Sequence, residues 1–216
     1  MSPLSSRAKR SETGLLTPDN CVVAFIDLQP RMLAGVANAD RQCVLNNNVM
    51  LARAARLFGV PTLLSCVDTP AAQADTLAPL QAVLQAQAPL TRTTMNSWED
   101  PAFVDRVVGL GRTRLVLAGL WTETCVALPA IEALEDGYEV YIVEDCCGDI
   151  SALAHENAMQ RMIDAGARPV TALSVMLAWQ RHRALADTGD TVRETAPAHY
   201  PSPQPVYRGN AGQAAE

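Results

Sequence analysis

The chain has 216 residues, 49% hydrophobic and 19% charged, with 12 glycines and 14 prolines; this suits one domain with a sizeable core and excludes disorder or collagen-like repetition over most of its length. The formal net charge of −6 opposes a nucleic-acid backbone or an anionic membrane surface as the main partner. No apolar run reaches the roughly 20 residues needed to cross a bilayer, and the opening MSPLSSRAKRSETG lacks the hydrophobic stretch of a secretory signal, so a cytoplasmic location is expected.

Residues 1–17 are expected to be peripheral to a domain spanning 18–186. The first strand is predicted at Cys21–Leu28, CVVAFIDL, a run of apolar and β-branched residues that suits a buried parallel strand. A loop follows it, with Gln29-Pro30 at its start. Arg41–Phe58 then carries apolar residues at helical spacing and stops at Gly59. The alternation recurs with a strand at 60–67, a short helix at about 75–86 and a brief strand at 89–92. A helix capped by Asp100, with Pro101 in its first turn, precedes a strand at 115–120. A helix at 123–137, a strand at 138–144, a helix at Ser151–Ala165, a strand at 169–171 and a last helix to about 186 complete the domain.

Six strands separated by helices imply an α/β fold, a doubly wound and mostly parallel six-stranded sheet with helices on both faces. Sites in such folds lie at the carboxyl ends of strands. From Asp187 the composition becomes polar and proline-rich, so 187–216 is expected to be either disordered or packed on a neighbouring subunit through Tyr200 and Tyr207.

Six cysteines lie mostly in apolar runs without C-x₂-C pairs, and His155, His182 and His199 are scattered. Reduced thiols and no metal are the expectation. Asp27 ends the first strand, where a carboxylate is either a turn cap or a paired functional group. Arg92 ends the short third strand and is either a surface cation or a bidentate partner for such an acid. Cys125 follows the fourth strand in the first turn of a helix, where the dipole favours a thiolate and unpaired amides suit an oxyanion; a buried structural cysteine is the other reading. Acid, cation and thiol at three strand ends converge on one crevice.

The order of Asp27 in AFIDLQ, Arg92 in LTRTTMNSWED and Cys125 in AGLWTETCVALPAIEALEDG resembles the isochorismatase-like cysteine hydrolases, in particular their YcaC-type branch. The pattern G-x-x-T-E-x-C-V-A-x-P-A from Gly119 is its most specific part. The resemblance implies a catalytic triad of Asp27, Arg92 and Cys125, with Arg92 where most of the superfamily has lysine. It also implies a cis peptide at Leu120-Trp121 and an oxyanion hole formed by the Trp121 and Cys125 amides. Gln29, Trp98 and Trp121 are candidates for the substrate pocket, although an aromatic loop residue is more often simply packed. No cofactor is expected. The stretch SCVDTPAAQ has Asp68 but no histidine, which disfavours the metal site of nicotinamidases, and the presence of Cys125 argues against isochorismate cleavage. The implied activity is hydrolysis of an amide-like C–N bond of a small molecule through a Cys125 thioester, by a homo-oligomer. The alternatives are a catalytically weak binding or assembly protein of the same fold and a nucleotide-binding protein. The second is weakened because no phosphate-binding glycine motif follows a strand. The adjacent Cys146 and Cys147 are poorly placed to bridge, and His155 reads as a structural helix-face residue.

Overall fold

The run of apolar residues at 21–26 forms β1 (Cys21–Ile26), which is buried along its whole length between two equally buried neighbours, β2 (Thr62–Val67) and β4 (Arg114–Gly119). A computed structural model describes residues 14–68, 75–85 and 87–180. Shorter strands β3 (Leu90–Arg92), β5 (Glu139–Val143) and β6 (Arg168–Val170) extend the sheet in the order β3-β2-β1-β4-β5-β6. Every pairing is parallel, so the expected mostly parallel sheet is parallel throughout.

Alternation along the strands divides the core between the two faces. Val23, Phe25, Leu64 and Val116 pack with α2 (Arg41–Leu57), α3 (Ala78–Val83) and α7 (Ala172–Gln180). Val22, Ala24, Leu63 and Leu115 pack with α4 (Pro101–Gly109), α5 (Ala127–Glu135) and α6 (Ala152–Asp164). Asp40, Asp100 and Ser151 cap α2, α4 and α6 by accepting backbone N–H groups. Among the described residues no helix is long and apolar enough to cross a membrane.

The chain winds outward from β1 to β3, returns to the centre as β4, and winds outward again to β6. The carboxyl ends of β1 and β4 therefore flank the point where the winding reverses, the place at which sheets of this kind carry their sites. The two strands approach closely at that end. Ile26 is registered with Gly119, and a Cβ on Gly119 would lie 2.2 Å from the Ile26 carbonyl oxygen.

The structure departs from the sequence reading in four places. The stretch read as a loop after β1 contains a helical turn and a half, α1 (Pro30–Gly35), too short to display a period. The first strand stops at Ile26 rather than Leu28, because Asp27 takes a φ of 53°. The helix expected from 123 begins as a π-helical turn, Thr122–Val126, and becomes α-helical only at Ala127. The end of the segment expected to be peripheral is tied down. Leu16 is buried in the core, the carbonyls of Gly14 and Leu15 accept from Tyr141 and Arg114, and residues 1–13 lie outside the described set. The continuation of the last helix to 186 and the tail 187–216, with Tyr200 and Tyr207, also lie outside the described residues.

Candidate active site

Asp27 stands at the end of β1 with its side chain wholly buried and its backbone in the left-handed region, which an aspartate adopts more readily than most residues. Its own N–H still reaches the Ser65 carbonyl at 2.8 Å, so the turn is held on β2. The carboxylate accepts the Val67 amide at 2.7 Å and both terminal nitrogens of Arg92, at 2.9 and 2.7 Å. Arg92 ends β3 in register with Val67, which is why a cation on the edge strand reaches an acid on the central one. The pair is bidentate and desolvated, Arg92 being 3% exposed. Burial works against the guanidinium charge, but the bonds and charge of Asp27 outweigh it and hold the group above its ordinary range.

Cys125 lies in the π-helical turn after β4 and is 1% exposed. The negative charge of Asp27 acts on its thiol, so one acid faces both a cation and a thiol. Burial pushes the thiol up to about 12, and the charge and hydrogen bond of Asp27 push the same way. The Thr124 hydroxyl, 3.6 Å from the sulfur, and the Trp121 amide act in the opposite sense. The expectation that the helix start alone would favour a thiolate is thus corrected for the resting site. The Thr124 hydroxyl and the Trp121 amide do pull the thiol down, but desolvation and a neighbouring carboxylate are stronger.

The Leu120–Trp121 peptide is cis. The Trp121 indole reaches α1, where its ring N–H donates to the Met32 carbonyl at 3.0 Å. The ring lies against Gly35, whose added Cβ would be 2.8 Å from it. The turn after Trp121 is wide because Val126 N–H reaches back five residues to the Trp121 carbonyl at 3.4 Å. Such bulges occur frequently at functional sites.

The other pocket candidates part company. Gln29 is buried beside the acid and its amide donates to the Val67 carbonyl at 3.1 Å. Trp98 is instead committed to packing. Its indole donates to Asp136, at the far end of α5 from Cys125, and its ring meets Phe103 and Tyr138 edge-on at 6.2 and 5.3 Å. Cys146 and Cys147 are separate thiols that join the cores on opposite faces of the sheet. His155 presents Nδ1 to the Thr122 hydroxyl at 2.9 Å, so it supports the turn from α6. Among the described residues no group of three or more His, Cys, Asp or Glu side chains is arranged to hold a metal ion.

Sequence reasoning missed Asp149 and Asn38. The Asp149 carboxylate accepts the Glu123 amide at 2.8 Å, and Asn38 accepts the Asp149 amide at 2.7 Å. A buried acid in a loop leaves no periodic trace, and its only sequence signal is its place shortly after a strand.

The Isochorismatase domain model matches residues 21–174. The probable hydrolase YcaC of Escherichia coli strain K12 is 32% identical over 173 residues, covering 78% of this chain and 80% of that protein. Isochorismatase domain-containing protein 2A of Mus musculus is 27% identical over 171 residues, 79% of this chain and 80% of that one. YcaC from Pseudomonas aeruginosa, solved with hexane-2,5-diol and covalent acrylamide, superposes with a TM-score of 0.79 at 29% identity, covering 88% of this chain and 95% of that chain. Escherichia coli YcaC, an octameric hydrolase of unknown specificity, gives a TM-score of 0.79 at 28% identity, over 87% and 92% of the two chains. With the family model spanning most of the sheet and both strand ends of the crevice, this chain belongs to the isochorismatase family.

Proposed function

We propose that this protein is a cysteine hydrolase that cleaves an amide-like C–N bond of a small molecule through a Cys125 thioester, without a cofactor and as a homo-oligomer. The observation that carries the proposal is the buried carboxylate of Asp27, bound by both terminal nitrogens of Arg92 at 2.7 and 2.9 Å while its charge acts on the buried Cys125 thiol. Two relatives add support. The Escherichia coli protein is named a probable hydrolase and is described as an octameric hydrolase of unknown specificity, and the Pseudomonas aeruginosa protein carries covalent acrylamide, an electrophilic small amide.

The chemistry follows from the contacts. Asp27 takes the Cys125 proton as the sulfur bonds to the substrate carbonyl carbon, and the Trp121 and Cys125 amides receive the oxyanion. Because burial and Asp27 push the free thiol up to about 12, deprotonation is uphill at rest and proceeds together with attack. The tetrahedral species then breaks its C–N bond, and Asp27 returns the proton to the departing nitrogen. Water next adds to the thioester and gives its proton to Asp27. Collapse releases the carboxylic acid, and the sulfur regains the proton. Arg92 remains charged throughout, since a guanidinium does not deprotonate near neutrality, and it holds the orientation of Asp27.

The resting state of Cys125 favours a second reading, an oligomeric binding or assembly protein with little turnover, because a thiol so buried and so weakly acidic is inert until a ligand completes the site. Release of amine from a panel of small amides separates the two. Turnover that disappears in both Cys125→Ala and Asp27→Asn supports the hydrolase. Saturable binding of those amides with no amine released supports the second reading and overturns the first.

A further inference from the structure

The turn that carries Cys125 has Trp121 at its N-cap, and this side chain makes no capping bond. Indole has no acceptor, yet the first N–H groups of a buried helical turn need partners. The loop after β5 supplies them. The Gly148 carbonyl accepts the Thr122 amide at 3.1 Å and its hydroxyl at 3.2 Å, and Asp149 Oδ2 accepts the Glu123 amide at 2.8 Å. Asp149 is completely buried, and its Oδ1 accepts the Ile150 amide at 2.8 Å. Its backbone is held as well. Its N–H donates to Asn38 Oδ1 at 2.7 Å, and its carbonyl accepts from Ala37 at 2.8 Å and Asn38 at 3.4 Å. One buried residue thus joins the loop after α1, the loop after β5 and the nucleophile turn.

We propose that Asp149 is a positioning residue, a distant N-cap that fixes the Thr122–Val126 turn and with it the place of Cys125 relative to Asp27. The inference rests on the reading of Cys125 as the nucleophile. A carboxylate suits the role because it meets the positive end of the turn and makes charge-assisted bonds stronger than those of a neutral cap. It occupies the Glu123 amide and leaves the Trp121 and Cys125 amides to the sulfur and the substrate. The ionisable groups around the thiol are Asp27 from β1 and Arg92 from β3. Those around the turn are Glu123 itself and His155 of α6, whose Nε2 is 3.9 Å from Glu144.

The test is the rate of Cys125 alkylation by iodoacetamide at pH 8, mapped by peptide mass spectrometry in the full-length protein. Asp149→Ala releases the turn, frees the thiol from Asp27 and raises the rate at least fivefold. Asp149→Asn, which retains an oxygen for the Glu123 amide, stays nearer the wild type. In an Asp27→Asn background the Asp149→Ala effect shrinks below twofold, since there is no longer an acid to leave. A rise of less than fivefold, or an equal rise in both backgrounds, overturns the proposal, because general loosening of the fold acts whether or not Asp27 is charged. Should Asp149→Ala not fold, Asp149→Ser takes its place. Alkylation needs no turnover, so the outcome is read separately from the hydrolase proposal, which stands or falls on amine release.

Discussion

Arg92 donates both terminal nitrogens to the Asp27 carboxylate, and the charge of that carboxylate also acts on the Cys125 thiol. Acid, cation and thiol therefore behave as one unit, and a change at any of them is felt by the other two.

The first consequence is an inversion between reactivity and catalysis. Neutralising Asp27 removes two of the influences that push Cys125 up, leaving burial, the largest. Asp27→Asn is expected to lower the thiol and raise its alkylation rate at pH 8 by roughly tenfold or more, one unit being a factor of ten in thiolate. Hydrolysis is expected to fall by at least about 100-fold for want of the base. In the wild type the exposed Cys43 is labelled before the buried Cys125. Rapid selective labelling of wild-type Cys125 would contradict this account.

Removing the cation isolates a buried anion. Arg92→Ala is expected to lower unfolding free energy by about 3–5 kcal/mol, measured by urea titration. Arg92→Lys keeps the charge but cannot span both carboxylate oxygens in a planar fork, and a loss of only about 1–2 kcal/mol is expected. Equal losses in the two variants would mean that the side-chain volume, rather than the charge, holds Asp27.

The two tryptophans should separate cleanly. Trp98→Phe loses the bond to Asp136 and part of two edge-on contacts, so stability falls by about 1–3 kcal/mol with kcat/KM within about twofold. Trp121→Phe loses the tie to the Met32 carbonyl next to the nucleophile turn and is expected to lower kcat/KM at least about tenfold. Reversal of that pattern in steady-state kinetics would return Trp98 to the substrate pocket.

Two glycines test how tightly the crevice is built. Gly119→Ala drives a Cβ to 2.2 Å from the Ile26 carbonyl oxygen, a backbone atom that cannot rotate aside. A loss of about 3 kcal/mol or more in urea unfolding is expected, at the upper end of overpacking costs. Gly35→Ala meets the edge of the Trp121 ring at 2.8 Å instead. Displacing that ring should cost about 1 kcal/mol of stability but should change KM, because the ring adjoins the site.

Much of the fold was legible because buried parallel strands read as unbroken apolar runs, and β1, β2 and β4 are buried at every position. Caps such as Asp100 followed by Pro101 were legible for the same local reason. α1 was not, since a helix of six residues shows no period and its Pro30 start looks like a turn. The π-helical opening of the Cys125 turn was not either, because no residue of Thr122–Val126 marks a π-helical register in its side chain, and the widening comes from bonds to Trp121 and to the loop after β5.

By itself the sequence determined the period of the elements, the acid, the cation and the thiol at three strand ends, and the resemblance that joins them. These are local properties: hydrophobic spacing, capping chemistry and residue type. The tertiary structure alone decided that Arg92 is a buried fork on Asp27 rather than a surface charge, that Trp98 packs on Asp136, and that Asp149 caps the turn of Cys125. It also decided that the thiol rests protonated, because its acidity depends on desolvation and on a carboxylate brought from β1 by the reversal of the winding. Such energies arise between groups far apart in the chain, so no window of sequence contains them.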